Sequence, residues 1–333
     1  MPFTHSNFDE MAAEEQQRNT WRIWRAPSIA RLAPKGPFYV LHLYSGRRRA
    51  LDFHEQVEKV IAEFPSLYIR VISIDTAVDA KLDIHDTKLW HFLTEIAQAG
   101  RVLGLLQGPP CETWTSARHH QQVDEHGAPL RGPRPLRHAD SLWGLDHLTM
   151  PELAQVFTGN ILLLKGMFLA CLVALRGGAT FLEHPAVPFA EEMASIWRLA
   201  LMKLLLRRPG ALFRKTTIEQ WRYGAPGIKP TTLLFSNCDL PAALAAGTIP
   251  GLSRPETLLI GKDSEGRFRT AAAKEYPAAL NSSFACALRP LLATRVATDC
   301  GTPHDEPWGH ELAVTTSCTE YGSIMPDYQP RLP

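Results

Sequence analysis

The chain has 333 residues, with 35 Lys and Arg against 34 Asp and Glu and a hydrophobic content of 45%. These values describe a soluble globular protein that can bury a full core in one large or two smaller domains, and they exclude a disordered or fibrous chain. The balanced charge excludes a uniformly basic nucleic-acid binder, so any such contact must come from local patches, with candidates at Arg47-Arg48-Arg49 and from Arg131 to Arg137.

Residues 1 to 36 are polar, carry Trp21 and Trp24 and end in Ala33-Pro34-Lys35-Gly36-Pro37, which reads as an N-terminal arm. Phe38 to Leu43 is a buried strand followed by the turn Tyr44-Ser45-Gly46 and a helix-like stretch to Phe64. Tyr68 to Ile74 is a second strand that stops at Asp75, Lys88 to Ala99 a helix, and Val102 to Leu106 the next strand. Gln121 to Leu148 is polar and rich in Pro and Gly, a long loop of the kind that carries function in compact domains. Pro151 to Arg176 is a long core helix, its apolar centre interrupted by Lys165 and Gly166 and too short to be read as a membrane span. Thr180 to Leu182 is a short strand, Glu191 to Arg207 a helix and Thr231 to Phe235 a late strand. Residues 237 to 270 read as a small irregular insert, 271 to 295 as a returning helix that starts at Pro277, and 296 to 333 as a loosely ordered tail. Strands alternating with helices at this spacing predict an α/β fold with a doubly wound, mostly parallel sheet.

Six cysteines (Cys111, Cys171, Cys238, Cys286, Cys300 and Cys318) form no Cys-x-x-Cys pair. That argues against a zinc site or any other metal, and against a secreted disulfide framework. The acidic start, with Asp9, Glu10, Glu14 and Glu15, lacks the order of a signal peptide. An intracellular, soluble protein with no membrane partner is the expectation.

The chemistry concentrates in Val102-Leu103-Gly104-Leu105-Leu106-Gln107-Gly108-Pro109-Pro110-Cys111-Glu112-Thr113-Trp114-Thr115. An apolar strand delivers one thiol just past a Gly-Pro-Pro segment that continues neither helix nor strand, so the sulfur leaves the sheet in a fixed direction. This stretch resembles the catalytic motif of the DNA cytosine-5 methyltransferase family, an apolar strand, Gly-Pro-Pro-Cys, then Gln-x-Phe-Ser, with Glu112, Trp114 and Thr115 standing at the last three positions. Four further segments follow in the family's order. Leu43-Tyr44-Ser45-Gly46-Arg47 resembles its Phe-x-Gly-x-Gly turn with one glycine kept. Asp75 stands where nucleotide-binding folds place a ribose carboxylate, or else caps the strand end. Leu82-Asp83-Ile84 is similar to its Asp-Ile, while Asp86 reads as the cap of the Lys88 helix. Phe181-Leu182-Glu183-His184-Pro185 stands at its strand ending in Glu-Asn-Val.

Two weaker matches close the set. Gln220-Trp221-Arg222-Tyr223-Gly224 resembles the start of Gln-x-Arg-x-Arg, with Gly224 in place of the second, base-contacting arginine. Asn281-Ser282 partly resembles the closing Gly-Asn-Ser, with Leu280 at the glycine.

The resemblance implies a Rossmann-like S-adenosylmethionine-dependent methyltransferase core over residues 37–236, and a reduced target-recognition region at 237–270. It implies methyl transfer to C5 of cytosine in DNA, with Cys111 attacking C6, Glu183 holding N3 and Arg222 assisting. S-adenosyl-L-methionine would lie against Tyr44, Ser45, Gly46, Asp75, Asp83, Pro109 and Asn281. Arg118, Arg131, Arg134 and Arg137 are the candidate phosphate contacts, the turn Arg118-His119-His120 reading equally well as solvated. Two alternatives stand beside this reading. One is RNA as the substrate, because the insert offers little surface for a major groove. A catalytically inactive nucleic-acid-binding module of the same fold is the other.

Overall fold

A computed structural model describes residues 37–119, 133–207, 211–256 and 274–299. The expected arm, the tail from 300 and Arg131 lie outside them. Six strands form one sheet: β1 (Phe38–Leu43), β2 (Ile69–Ile74), β3 (Val102–Gln107), β4 (Ala179–Pro185), β5 (Arg214–Glu219) and β6 (Pro230–Ser236), in the order β2-β1-β3-β4-β6-β5. The pairs β1·β2, β1·β3 and β3·β4 are parallel, whereas β6 runs antiparallel to both β4 and β5. A mixed α/β sheet, mostly parallel, is thus observed.

Seven α-helices are found among the described residues: α1 (Phe53–Ile61), α2 (Thr87–Gln98), α3 (Met150–Leu175), α4 (Ala200–Arg207), α5 (Leu240–Gly247), α6 (Ala278–Cys286) and α7 (Arg289–Asp299). Side chains alternate across each strand, so neighbouring residues enter different cores. Leu41, Leu105, Leu182 and Leu234 join Leu93 and Ile96 of α2 and Leu163, Met167 and Val173 of α3. Val40, Leu106, Phe181 and Phe235 join Phe53 and Val57 of α1 and Phe284 of α6 on the other face. The result is helix, sheet, helix. By length and composition α3 could cross a membrane, but it packs against α2, β3 and β4.

Asp86 caps α2 as expected, accepting from Leu89 N at 2.8 Å. Asp52 caps α1 in the same way, accepting from Glu55 N at 2.9 Å, and it also holds Arg48 Nε at 2.6 Å. Burial alone would raise the Asp52 pKa. Hydrogen bonds from Arg48 and from the Glu55 and Arg49 amides outweigh it and hold the group below the usual aspartate value. A depressed folded-state pKa stabilises the fold above the unfolded-state value and ceases to do so as pH falls through the folded one. Asp52→Ala is therefore expected to cost about 1–2 kcal/mol at pH 7. Urea melts at pH 7 and in the acid range below the ordinary aspartate pKa would check this, since the difference between variant and parent should shrink in acid.

Three sequence expectations are corrected, and one strand had not been expected. The helix expected over Glu191–Arg207 is a 3₁₀ turn at Ile196–Arg198 followed by the shorter α4, because Trp197 is anchored by its Nε1 donating to the Pro185 carbonyl at 2.8 Å. The closing helix from Pro277 is two helices, α6 and α7. Pro290 lacks an N–H and suits only a first helical turn, so a new helix starts there. Part of the expected irregular insert is α5, which Asp239 caps and whose Leu240 and Leu244 are buried. Strand β5, with the polar sequence RKTTIE, had no apolar signal and forms through pairing to β6 at the sheet edge.

Candidate active site

Parallel strands share a carboxyl edge, and β1 to β4 all open onto it. The connection from β1 through α1 lies on one face, and those through α2 and α3 lie on the other. Chain paths therefore diverge between β1 and β3, the position at which open α/β sheets form a ligand crevice. Asp75, Cys111 and Glu183 come from the ends of β2, β3 and β4 respectively.

At the end of β3, Gln107 is fully buried and its Nε2 donates to the Gly166 carbonyl of α3 at 3.1 Å, while its Oε1 has no partner. Gly108, the buried Pro109 and Pro110 then carry the chain out to Cys111, which opens a turn closed by Trp114 N donating to its carbonyl at 2.9 Å. Burial pushes the Cys111 thiol up to about 11, with the Lys229 charge opposing and those of Glu183 and Glu112 reinforcing.

Glu183 is 6% exposed and supplies the second reactive group. Its Oε1 accepts from Gln220 Nε2 at 3.2 Å and pairs with Lys229 Nζ at 3.2 Å. Its Oε2 accepts from Tyr276 Oη at 3.3 Å. Gly108 ties this carboxylate to the cysteine segment. A side chain there would run into Tyr276 Oη and come 3.5 Å from Glu183 Oε2, so only glycine lets the Pro-Pro-Cys turn pass this close. Burial and the Glu183 charge raise the Tyr276 pKa well above 10, so its hydroxyl stays a donor. His184 is a packed residue, edge-on to Trp114 and Trp197 and held neutral by burial with a pKa of about 3.

The other half of the crevice starts with a strained turn. Tyr44 and Gly46 have φ of +58° and +65°, a region that disfavours side chains. Tyr44 is held there by its hydroxyl, which donates to the Leu162 carbonyl at 2.6 Å, and Ser45 Oγ bonds the Gly46 carbonyl. Asp75 fastens the turn, its Oδ2 accepting from Gly46 N at 2.9 Å and its Oδ1 from Ala77 N at 2.8 Å. Asp83 accepts from His85 N in a local turn, and the adjacent Ile84 carbonyl receives Lys165 Nζ at 2.8 Å. Asn281 bridges from the opposite side, donating through Nδ2 to the Leu51 carbonyl at 3.1 Å and the Tyr276 carbonyl at 3.3 Å.

Of the candidate phosphate contacts, Arg137 is corrected by its burial, while Arg118 and Arg134 pair within the chain and keep exposed surface. Arg137 is 1% exposed and therefore cannot meet a phosphate. It donates to Thr113 Oγ1, the Leu142 carbonyl, Asn160 Oδ1 and the Val156 carbonyl, with its guanidinium 3.8 Å from the Trp114 ring centre. Arg118 is engaged by the carbonyls of Glu112 and Arg134 and by Gln155 Oε1. Arg134 forms a two-pronged pair with Glu152, whose carboxyl that hydrogen bond holds at about 2. All three tie the segment after Cys111 to α3. In the other patch, Arg48 pairs with Asp52 and Arg49 with Glu275. Arg222 is exposed with its guanidinium over Trp221, and no hydrogen bond or ion pair joins it to Cys111 or Glu183 among the described residues. Its neighbour Gln220 enters the site instead.

Sequence reasoning missed Lys229 and Tyr276. Lys229 precedes Pro230 at the start of β6 and Tyr276 precedes Pro277 at α6, and neither position carries a pattern of its own. Among the described residues, no group of three or more His, Cys, Asp or Glu is arranged to hold a metal ion.

No protein-family model matches the chain, and no curated protein does. Among solved structures, the chain is similar to a prophage-encoded E. coli protein that its describers assign provisionally to the DNA modification methyltransferases. The identity is 14% and the TM-score 0.28, over 70% of this chain and 63% of that one. A likeness that distant carries no argument about activity.

Proposed function

We propose that the chain is an S-adenosylmethionine-dependent methyltransferase of Rossmann-like fold that acts on C5 of cytosine in nucleic acid, DNA in preference to RNA, through a covalent bond between Cys111 and C6. The observation that carries this reading is the approach of the Cys111 segment to Glu183 across Gly108, at the carboxyl edge of adjacent parallel strands. Attack of the Cys111 thiolate on C6 pushes electron density towards N3. A protonated Glu183 at N3 stabilises that density by a hydrogen bond or proton transfer, and C5 becomes nucleophilic. S-adenosylmethionine, when bound, supplies the methyl group that C5 accepts. A base then removes the C5 proton, Glu183 takes back any proton given to N3, and expulsion of the thiolate restores the ring. Because C6 is covered in a base stack, the nucleotide must be flipped out or presented single-stranded.

The residues present fit the cofactor. Space is open beside the Gly46 backbone, where no atom lies within 4 Å of the position a side chain would occupy. Each Asp75 oxygen holds one backbone N–H and keeps a lone pair for a ribose hydroxyl. Asn281 Oδ1 is buried without a partner. Tyr44, Ser45, Gly46, Asp75, Pro109 and Asn281 would line the pocket, with Asp83 at its far rim. An intracellular location accords with four free thiols among the described residues.

The experiment is trapping. Fluorine at C5 blocks the proton loss that releases the enzyme, so an oligonucleotide containing 5-fluorocytosine should give a denaturation-resistant adduct. The adduct should require S-adenosylmethionine and disappear in Cys111→Ala. DNA and RNA oligonucleotides run in parallel rank the two polymers. No adduct with either, in protein that binds the cofactor, overturns the reading.

A further inference from the structure

Glu183 divides its contacts between its two oxygens. Oε1 accepts from Gln220 Nε2 and pairs with Lys229 Nζ, each at 3.2 Å, so two N–H donors already occupy it. Oε2 is turned to Gly108 and accepts from Tyr276 Oη at 3.3 Å. Tyr276 Oη itself fills the space that the absent side chain of Gly108 leaves, three positions before Cys111. The nucleophile's segment, the carboxylate and the phenol hydroxyl therefore meet at one point of the crevice.

Tyr276 is half-buried and held from several sides. Its ring stacks on His42, with centres 6.4 Å apart, and stands edge-on to Phe284 at 5.9 Å. Its carbonyl accepts from Arg49 Nη2 at 3.1 Å and from Asn281 Nδ2 at 3.3 Å. Backbone and ring are thus fixed, and the hydroxyl hydrogen alone can turn, about the C–O bond.

We propose that Tyr276 Oη reads the carbonyl beside the ring nitrogen of the target base, O2 of cytosine. The proposal rests on the cytosine reading, in which Glu183 meets N3 as a donor. N3 and O2 are adjacent acceptors on one edge of the ring, so they are matched by two adjacent donors. Oε2 and Oη stand 3.3 Å apart, close enough to lie side by side along that edge. At rest the Tyr276 hydrogen is held by Oε2. When the base enters it turns to O2, so the hydroxyl is never left without an acceptor.

Neighbouring donors are engaged elsewhere. Gln220 Nε2 has two hydrogens, one directed at Glu183 Oε1 and one at Thr231 Oγ1, 3.0 Å away. Arg222 lies over Trp221, and Gly224 has no side chain. Lys229 meets the carboxylate at Oε1. Tyr276 is the donor that adjoins Oε2.

Sulfur in place of O2 tests the contact, because a thiocarbonyl accepts hydrogen bonds poorly. Random-sequence DNA and RNA pools, with every cytosine either natural or 2-thiocytosine, are given to the full-length chain with tritiated S-adenosylmethionine. Tyr276→Phe keeps the ring against His42 and Phe284 and removes only the hydroxyl. On the natural pool it should lower kcat/KM about tenfold, the scale of one neutral hydrogen bond. The thio pool should cost the parent about as much, and there Tyr276→Phe should lose no more than about twofold. A purely structural role gives the same loss on both pools. Equal losses on the two pools, or none on the natural one, overturn the proposal. An equal parent rate on the two pools overturns it without any variant. If Tyr276→Phe does not fold, Tyr276→Met, which also lacks a donor, decides by the same comparison. A parent that methylates the natural pool while these ratios fail overturns only the contact to O2. A parent that methylates neither polymer overturns the cytosine reading as well.

Discussion

Glu183→Gln is expected to slow methyl transfer to cytosine by about 10²–10⁴-fold, the range for loss of a positioned acid. The Michaelis constant for the oligonucleotide should change much less, because the group acts on charge that develops during attack and adds little to ground-state binding. Glutamine can preserve the local geometry. Its oxygen can accept from Gln220 and Lys229, and its NH₂ can face Tyr276 Oη. What it removes is the anion beside a nearly buried ammonium, which should cost about 1–3 kcal/mol of stability. Rates are therefore to be compared well below the melting transition. A rate of methyl transfer within threefold of the parent would remove Glu183 from the chemistry.

Most of the sheet was legible because parallel strands covered on both faces must be apolar along their length. The runs at Phe38–Leu43 and Val102–Gln107 carry that signal, and antiparallel β6 (Pro230–Ser236) carries it as well because it too is buried along nearly its whole length. Strand β5 carries none, since an edge strand is stabilised by its neighbour's open hydrogen-bonding groups and profits from charge on its free side. Helix ends were legible where a cap was present, as at Asp86. They were not where a proline restarted a helix, as at Pro290, or where a buried tryptophan overrode the periodicity, as at Trp197.

The site was legible in the residues that local backbone chemistry singles out. Gly-Pro-Pro marks Cys111, and a strand end marks both Asp75 and Glu183. Lys229 and Tyr276 were hidden because each reaches Glu183 from 46 or more positions away, through the antiparallel return of β6 and the docking of α6. Arg137 misled for a related reason. A run of positive charge in sequence says nothing of how many carbonyls and carboxylates the fold sets beside it, and Arg118, Arg134 and Arg137 each find theirs.

Arg137→Ala should destabilise the fold more than Asp52→Ala or Glu183→Gln, at about 3–5 kcal/mol. Burial, helped by the charge of Arg118, lowers the Arg137 pKa to about 9, so the guanidinium is still charged at pH 7. Among the described residues its four hydrogen bonds go to neutral acceptors, and its guanidinium also lies over the face of Trp114. Truncation leaves a cavity against that ring and strips Thr113, Leu142, Val156 and Asn160 of their donor, each a desolvated polar group. For a chain of this size the loss corresponds to a melting temperature lower by roughly 4–10 °C. Arg137→Met should cost less than Ala, because it refills most of the space while leaving the acceptors unpaired. Trp114 sits three residues after Cys111, so the alanine variant should also loosen the turn that aims the thiol and slow adduct formation at temperatures where the protein is still folded. A phosphate contact would behave differently, with nucleic-acid affinity falling, its salt dependence shrinking and the melting temperature unmoved. That second pattern, seen in a scanning calorimeter and a binding titration on the same variant, would return Arg137 to the nucleic-acid interface.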